Sequence, residues 1–96
     1  VTEDLRRRVL VRDQVCFIFR LDRTHVCADR WGRLHSPYET WKLSLDHVKD
    51  GPMLGRRAPS DEWHLVAMCY RGNVDVPSRE IRAAERAYLL ALRTAP

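Results

Sequence analysis

At 96 residues the chain has room for one domain with a small core, a size at which a metal or other staple often supplements apolar burial. The net charge of +4 and pI near 9.3 come mostly from 15 Arg against Lys42 and Lys49, a balance compatible with a nucleic-acid partner and equally with a soluble domain that is merely basic. No apolar run approaches the ~18 residues of a membrane span, and the opening Val1-Thr2-Glu3-Asp4 does not read as a signal peptide, so the expected location is the cytoplasm.

The first predicted element is a helix over residues 2–12. Thr2 can cap it, Glu3 and Asp4 suit its first turn, and Leu5 and Val9 share a face. Arg6, Arg7 and Arg8 read as a solvated surface. Residues 15–21 are short, apolar and aromatic, which predicts an extended or strand-like segment. Residues 22–38 show no period and carry His25, Cys27, Gly32, His35 and Pro37, so a folded loop is expected. Trp31 and Trp41 are expected to pack the core rather than to stack on bases.

Residues 39–48 alternate well enough for a strand, with Trp41, Leu43 and Leu45 on one face. Asp50-Gly51-Pro52 breaks it. After a loop with Gly55, Arg56, Arg57 and Pro59, residues 63–69 form the second strand candidate, and residues 69–77 a turn. Ser78 can cap a final helix whose buried face is Ile81, Ala84, Tyr88, Leu89 and Leu92. Arg79, Arg82, Arg86 and Arg93 form a stripe away from that face, either solvated or facing DNA.

The order is helix, cysteine-bearing loop, strand, loop, strand, helix: an α+β chain whose last three elements can fold as a ββα unit. In that unit Asp46-His47 ends the first strand and Asn73 sits just before the helix. An Asp and an Asn together offer hard oxygen donors suited to Mg²⁺ or Mn²⁺. A His beside that Asp can take a proton from water. The constellation reads as a one-metal site for cleaving phosphodiesters. Three cysteines, Cys16, Cys27 and Cys69, are an odd number, which in a reducing compartment favours a metal or buried thiols over disulfides.

Asp46-His47, then His64-Leu65, then Cys69-Tyr70-Arg71-Gly72-Asn73 resembles the HNH endonucleases, the ββα-metal (His-Me finger) nucleases. Their pattern is Asp-His, then Asn-Leu, then Cys-x-x-Cys followed by His or Asn. Arg12-Asp13-Gln14-Val15-Cys16 is similar to the family's lead into its first zinc knuckle. The small, Arg-rich chain looks most like HNH proteins of bacteriophages of high-GC actinobacteria.

The resemblance implies a single HNH domain over residues 1–96 with the metal-site core at about 41–93. Asp46 and Asn73 are implied to hold the catalytic ion, with His47 as general base. His64 stands where the family has Asn, and either braces the loop or contributes to the site by binding metal or phosphate. DNA is the implied substrate. Lys49, Arg56, Arg57, Arg79, Arg82 and Arg86 are its candidate contacts, and the terminase large subunit is a candidate partner.

The family's two zinc knuckles each lack a cysteine here, with Phe19 and Gly72 in their places. Two readings stand. Either Cys16, Cys27 and Cys69 bind a structural zinc with a histidine, for which His25 and His35 are nearest, or they are buried thiols. The activity has rivals as well: a non-catalytic nucleic-acid- or protein-binding module on a degenerate zinc ribbon, and a toxin-type nuclease domain cut from a larger protein.

Overall fold

A computed structural model describes residues 1–49, 60–75 and 77–95 of the chain. Arg56 and Arg57, proposed DNA contacts, lie outside the described residues. Helix α1 (Glu3–Asp13) starts where Thr2 Oγ1 accepts the Leu5 amide and ends where Gln14 takes a left-handed φ of 62°. That reversal aims the chain into a second short helix, α2 (Phe17–Leu21). The extended segment expected at 15–21 is therefore helical. Its aromatic and β-branched residues favour strands only where a partner strand exists. Here Phe17 is instead buried against Met68, Leu89 and their neighbours in the core.

The expected loop at 22–38 contains a small hairpin, β1 (Cys27–Ala28) with β2 (Leu34–His35), antiparallel and paired Cys27 to His35. Asp29 closes its turn by accepting the amides of Trp31 and Arg33, and Gly32 supplies a φ of 78°. The first half of the strand expected at 39–48 is a 3₁₀ turn, Thr40–Lys42. This turn puts Trp41 outside, so the expectation that Trp31 and Trp41 pack the core is overturned: they are 69% and 70% exposed.

Strand β3 (Ser44–His47) then pairs antiparallel with β4 (Leu65–Met68), Ser44 opposite Met68 and His47 opposite Leu65. A 3₁₀ turn, Glu62–His64, leads into β4. All four β4 residues are buried, flanked by Val9 and Leu5 of α1 on one side and by Phe17, Leu43 and Cys69 on the other. The turn expected after Cys69 contains a short helix, α3 (Tyr70–Val74), capped by Cys69. Helix α4 (Arg79–Thr94) is capped by Ser78 Oγ, as its sequence signal predicts. Leu89 is buried and Ile81, Ala84 and Tyr88 pack on the core.

One polar knot ties these layers. The carboxylate of Asp13, buried at the end of α1, accepts the Tyr88 hydroxyl at 2.6 Å and the Ala67 amide at 2.8 Å, and is paired with Arg12. Arg12 also donates to the carbonyls of Glu62 and Leu65. A buried carboxylate is tolerable only when its lone pairs are filled, as they are here. Burial and the neighbouring Asp13 push the Tyr88 phenol up to about 12.

Candidate metal centre

Among the described residues, a cluster of metal-binding groups lies where three segments meet. Cys16 ends the α1–α2 connection, His25 and Cys27 enter the small hairpin, and Cys69 joins β4 to α3. The ligand atoms of these four residues lie within 4.8 Å of one another. Tetrahedral zinc with Zn–S near 2.3 Å puts its ligand atoms about 3.8 Å apart, so the cluster needs only a small contraction to hold one. His25 Nε2 is already 3.3 Å from Cys69 Sγ. His35 is not in the cluster; its Nδ1 faces the Ser36 carbonyl at 2.8 Å. Cys16, His25, Cys27 and Cys69 can thus bind a metal ion such as zinc.

Backbone amides are aimed at two of the sulfurs. The Gly72 amide donates to Cys69 Sγ, and the Phe19 amide favours the thiolate at Cys16. The Cys69 amide donates to Cys16 Sγ at 3.3 Å. Gly72 lies close against Ile18 Cδ1, so a side chain there would require the Ile18 terminus to move aside. Cys27 at the start of the hairpin, with His25 just before it, completes the four-residue set.

The sulfurs are electrostatically unequal. A hydrogen bond from the Cys16 thiol, with help from His25 and the amides of Gly72 and Ala28, holds Cys69 down at about 4. The same bond and burial push Cys16 up, while burial and the Cys69 thiolate push Cys27 up to about 12. A cation bound among them would favour the thiolate form of all three.

Around the Asp-His pair, the two side chains part company, as neighbours on a strand must. Asp46 is buried; its Oδ2 accepts Arg82 of α4 at 2.6 Å. Arg82 also donates to the His47 carbonyl and to Glu85 Oε1, each at 3.3 Å. Glu85 is fully buried and its Oε2 has no hydrogen-bond partner among the described residues. Burial and the nearby Asp46 push the Glu85 carboxyl up to about 9. His47 is exposed, with Nε2 3.3 Å from Ser60 Oγ.

Asn73 reaches back from α3, its Nδ2 donating to Ser44 Oγ and to the Leu45 carbonyl, both at 3.2 Å. His64 is buried, with Nδ1 2.7 Å from Asp61 Oδ1, and its carbonyl accepts the Val48 amide. Within the α4 stripe Arg79 and Arg86 are exposed, whereas Arg82 turns inward onto Asp46. Lys49 is exposed at the edge of the described residues.

No protein-family model, curated protein or solved structure matches the chain.

Two features of this site escaped the sequence reading. Glu85 sits four residues after Ile81 and four before Leu89, in the middle of the apolar stripe, a position at which a carboxylate needs an internal partner. Arg82 is that partner, and the stripe pattern hides it among solvated arginines. Among the described residues no helix is long and apolar enough to cross a membrane.

Proposed function

We propose that the chain is a metal-dependent DNA endonuclease of the HNH type, with a structural zinc on Cys16, His25, Cys27 and Cys69. The observation that carries the reading is the tie from Asn73 to Leu45. It brings the third motif element, 28 positions along the chain, against the strand that ends in Asp46-His47. The order β3, β4, α3 supports a ββα core around that tie.

Asp46 and Asn73 offer one carboxylate and one amide for a hard divalent ion, which when bound would polarise a phosphoryl oxygen and stabilise the leaving oxyanion. The Arg82 guanidinium already sets positive charge against that carboxylate, at 2.6 Å. His47, exposed on the opposite face of the strand, takes the proton from an attacking water through an imidazole nitrogen, with Ser60 Oγ positioned to orient the ring. Asn73 holds α3 to β3, fixing the strand end against the helix.

The second reading, a non-catalytic binding module, is favoured by the same Arg82–Asp46 pair, because a compensated carboxylate needs no ion. Plasmid relaxation separates the two. The parent with Mg²⁺ or Mn²⁺ should nick supercoiled DNA, and His47→Ala should lose about 10²–10⁴ in rate. A parent inert with every divalent ion tried supports the binding module. Parent-like cleavage by His47→Ala refutes the assignment of the base.

A further inference from the structure

Away from Asp46 and His47, the small hairpin, the 3₁₀ turn at Thr40–Lys42 and α3 enclose an open cleft of about 500 Å³. Its aromatic wall is Trp31, Trp41 and Tyr70, and Arg6, Arg30 and Lys42 line the same space. Arg30 lies 5.6 Å from the Trp31 ring centre and 5.9 Å from that of Tyr70, and Arg33 covers Trp31 at 5.2 Å. Past Trp41 the cleft continues into a second groove of about 600 Å³ along α1, lined also by Arg7.

Of the carboxylates at the cleft and the groove, Glu3 alone, in the first turn of α1, has no ion pair among the described residues, and those at the cleft itself are engaged. Asp29 closes the hairpin turn and faces Arg33, and Glu39 holds Lys42 Nζ at 2.8 Å. Arg6, Arg7 and Arg30 have no ion pair among the described residues. The surface therefore offers flat rings 69% and 70% exposed and cations without counter-charge. A cationic ligand is repelled, and so is a second copy of this chain, which carries the same positive rim and a net charge of +4. A ligand with exposed planar faces joined by anions meets both features at once.

We propose that this cleft binds an unpaired segment of DNA, with bases stacked on Trp31, Trp41 and Tyr70 and the phosphates tracked by Arg30, Arg6 and Arg7. Paired bases hide their faces in the duplex, whereas a single strand presents them to aromatic platforms. A metal on the Cys/His cluster would tie the two walls together. Tyr70 follows Cys69 directly, and Arg30 and Trp31 sit at the tip of the hairpin that begins at Cys27. The cleft floor, Leu43 and Ser44, runs into β3, so a strand lying there reaches the Asp46-His47 strand. The rings and cations call for an unpaired strand whichever reaction the protein performs; the choice of DNA over RNA rests on the endonuclease reading, and binding without catalysis tests the two separately.

The test is fluorescence anisotropy of a labelled oligothymidylate with zinc-loaded protein and no added Mg²⁺ or Mn²⁺, beside a duplex and an oligouridylate of equal length. Single-stranded DNA should bind tightest and quench tryptophan emission. Trp31→Ala and Trp41→Ala should each weaken it by roughly 5- to 140-fold, from a stacking contribution of ~1–3 kcal/mol per base. Arg30→Ala should lower the slope of log affinity against log salt by about 0.7. Both tryptophans are exposed, and unchanged circular dichroism would establish that the variants fold. Parent-like affinity in both tryptophan variants overturns the proposal. Preference for the duplex or the RNA does so as well, as does a change in oligomeric state in place of DNA affinity.

Discussion

Removing the metal is the perturbation with the largest consequence for this fold. An ion on Cys16, His25, Cys27 and Cys69 closes two main loops, of 11 residues between Cys16 and Cys27 and 42 between Cys27 and Cys69. The chain-entropy value of closing loops of those sizes is about 2.8 and about 3.9 kcal/mol at 25 °C. These are ceilings, since the metal-free chain keeps some of its contacts and real cross-links deliver less. Taking about half of the total gives a loss of ~3 kcal/mol, set against about 5–14 kcal/mol for a domain of this length. At ~4–8 °C per kcal/mol, Tm should fall by roughly 12–24 °C. The three sulfurs are themselves core groups beside Phe17, Met68 and Leu43, so near-ultraviolet circular dichroism should weaken with the melt. Elemental analysis of protein purified without added metal should give about one zinc per chain. Chelation should lower Tm, and zinc should restore it. Cys27→Ala separates packing from ligation: its Tm should approach that of the chelated parent and respond little to further chelator. A zinc-free parent whose melt ignores the chelator would refute the argument and leave three buried thiols.

Two further substitutions probe the polar interior. Arg82→Gln strips the cation from Asp46 and Glu85, so stability should fall, and added Mg²⁺ should raise Tm more in the variant than in the parent, because an ion can take the vacated place. Equal Mg²⁺ responses in differential scanning fluorimetry would mean that Arg82 and the ion do not share a site. Tyr88→Phe leaves a buried Asp13 lone pair unfilled and should cost about 1.5–3 kcal/mol in urea unfolding; a loss below ~0.5 kcal/mol would show that Arg12 and the Ala67 amide suffice.

The parts of the fold carried by local chemistry were legible. Thr2 and Ser78 cap where their side chains and following residues say they should, and Leu45 and Val66 fall in paired strands. The failures share one cause. Residues 15–21 were read by composition, but Gln14 reverses the chain at φ 62° and turns those apolar residues onto β4 as a helix. Trp41 was counted into an alternating face, yet the turn at Thr40–Lys42 interrupts the alternation and puts the ring outside. Trp31 carried a clue: Arg30 and Arg33 flank it, with Gly32 beside it, and a tryptophan among cations at a glycine turn is poorly placed for a core. The Cys/His cluster was legible as a set of ligands but not as a geometry, because knuckle spacing is local and the hairpin that delivers Cys27 is not.

The two proposed sites meet at one side chain. Ser44 Oγ donates to the Met68 carbonyl at 2.9 Å and accepts Asn73 Nδ2 at 3.2 Å, while the same residue forms part of the cleft floor. Met68 precedes Cys69, so this bond also lies one residue from the metal centre. A DNA strand bound in the proposed cleft would lie beside the bond network that fixes Asn73 to β3. That network is a small, half-buried set of neutral hydrogen bonds, each worth about 0.5–1.5 kcal/mol, comparable to the stacking of a single base. Contacts of that size can be traded: a base seated on Tyr70, three positions before Asn73 on the same short helix, can tighten or release the amide. The buried Arg82–Asp46 pair is held more strongly, by a charge-assisted bond at 2.6 Å. Substrate engagement at the cleft should thus be felt first at Asn73 and only afterwards at Asp46. The order follows from the strengths of the bonds that hold each residue, whichever reaction the site performs.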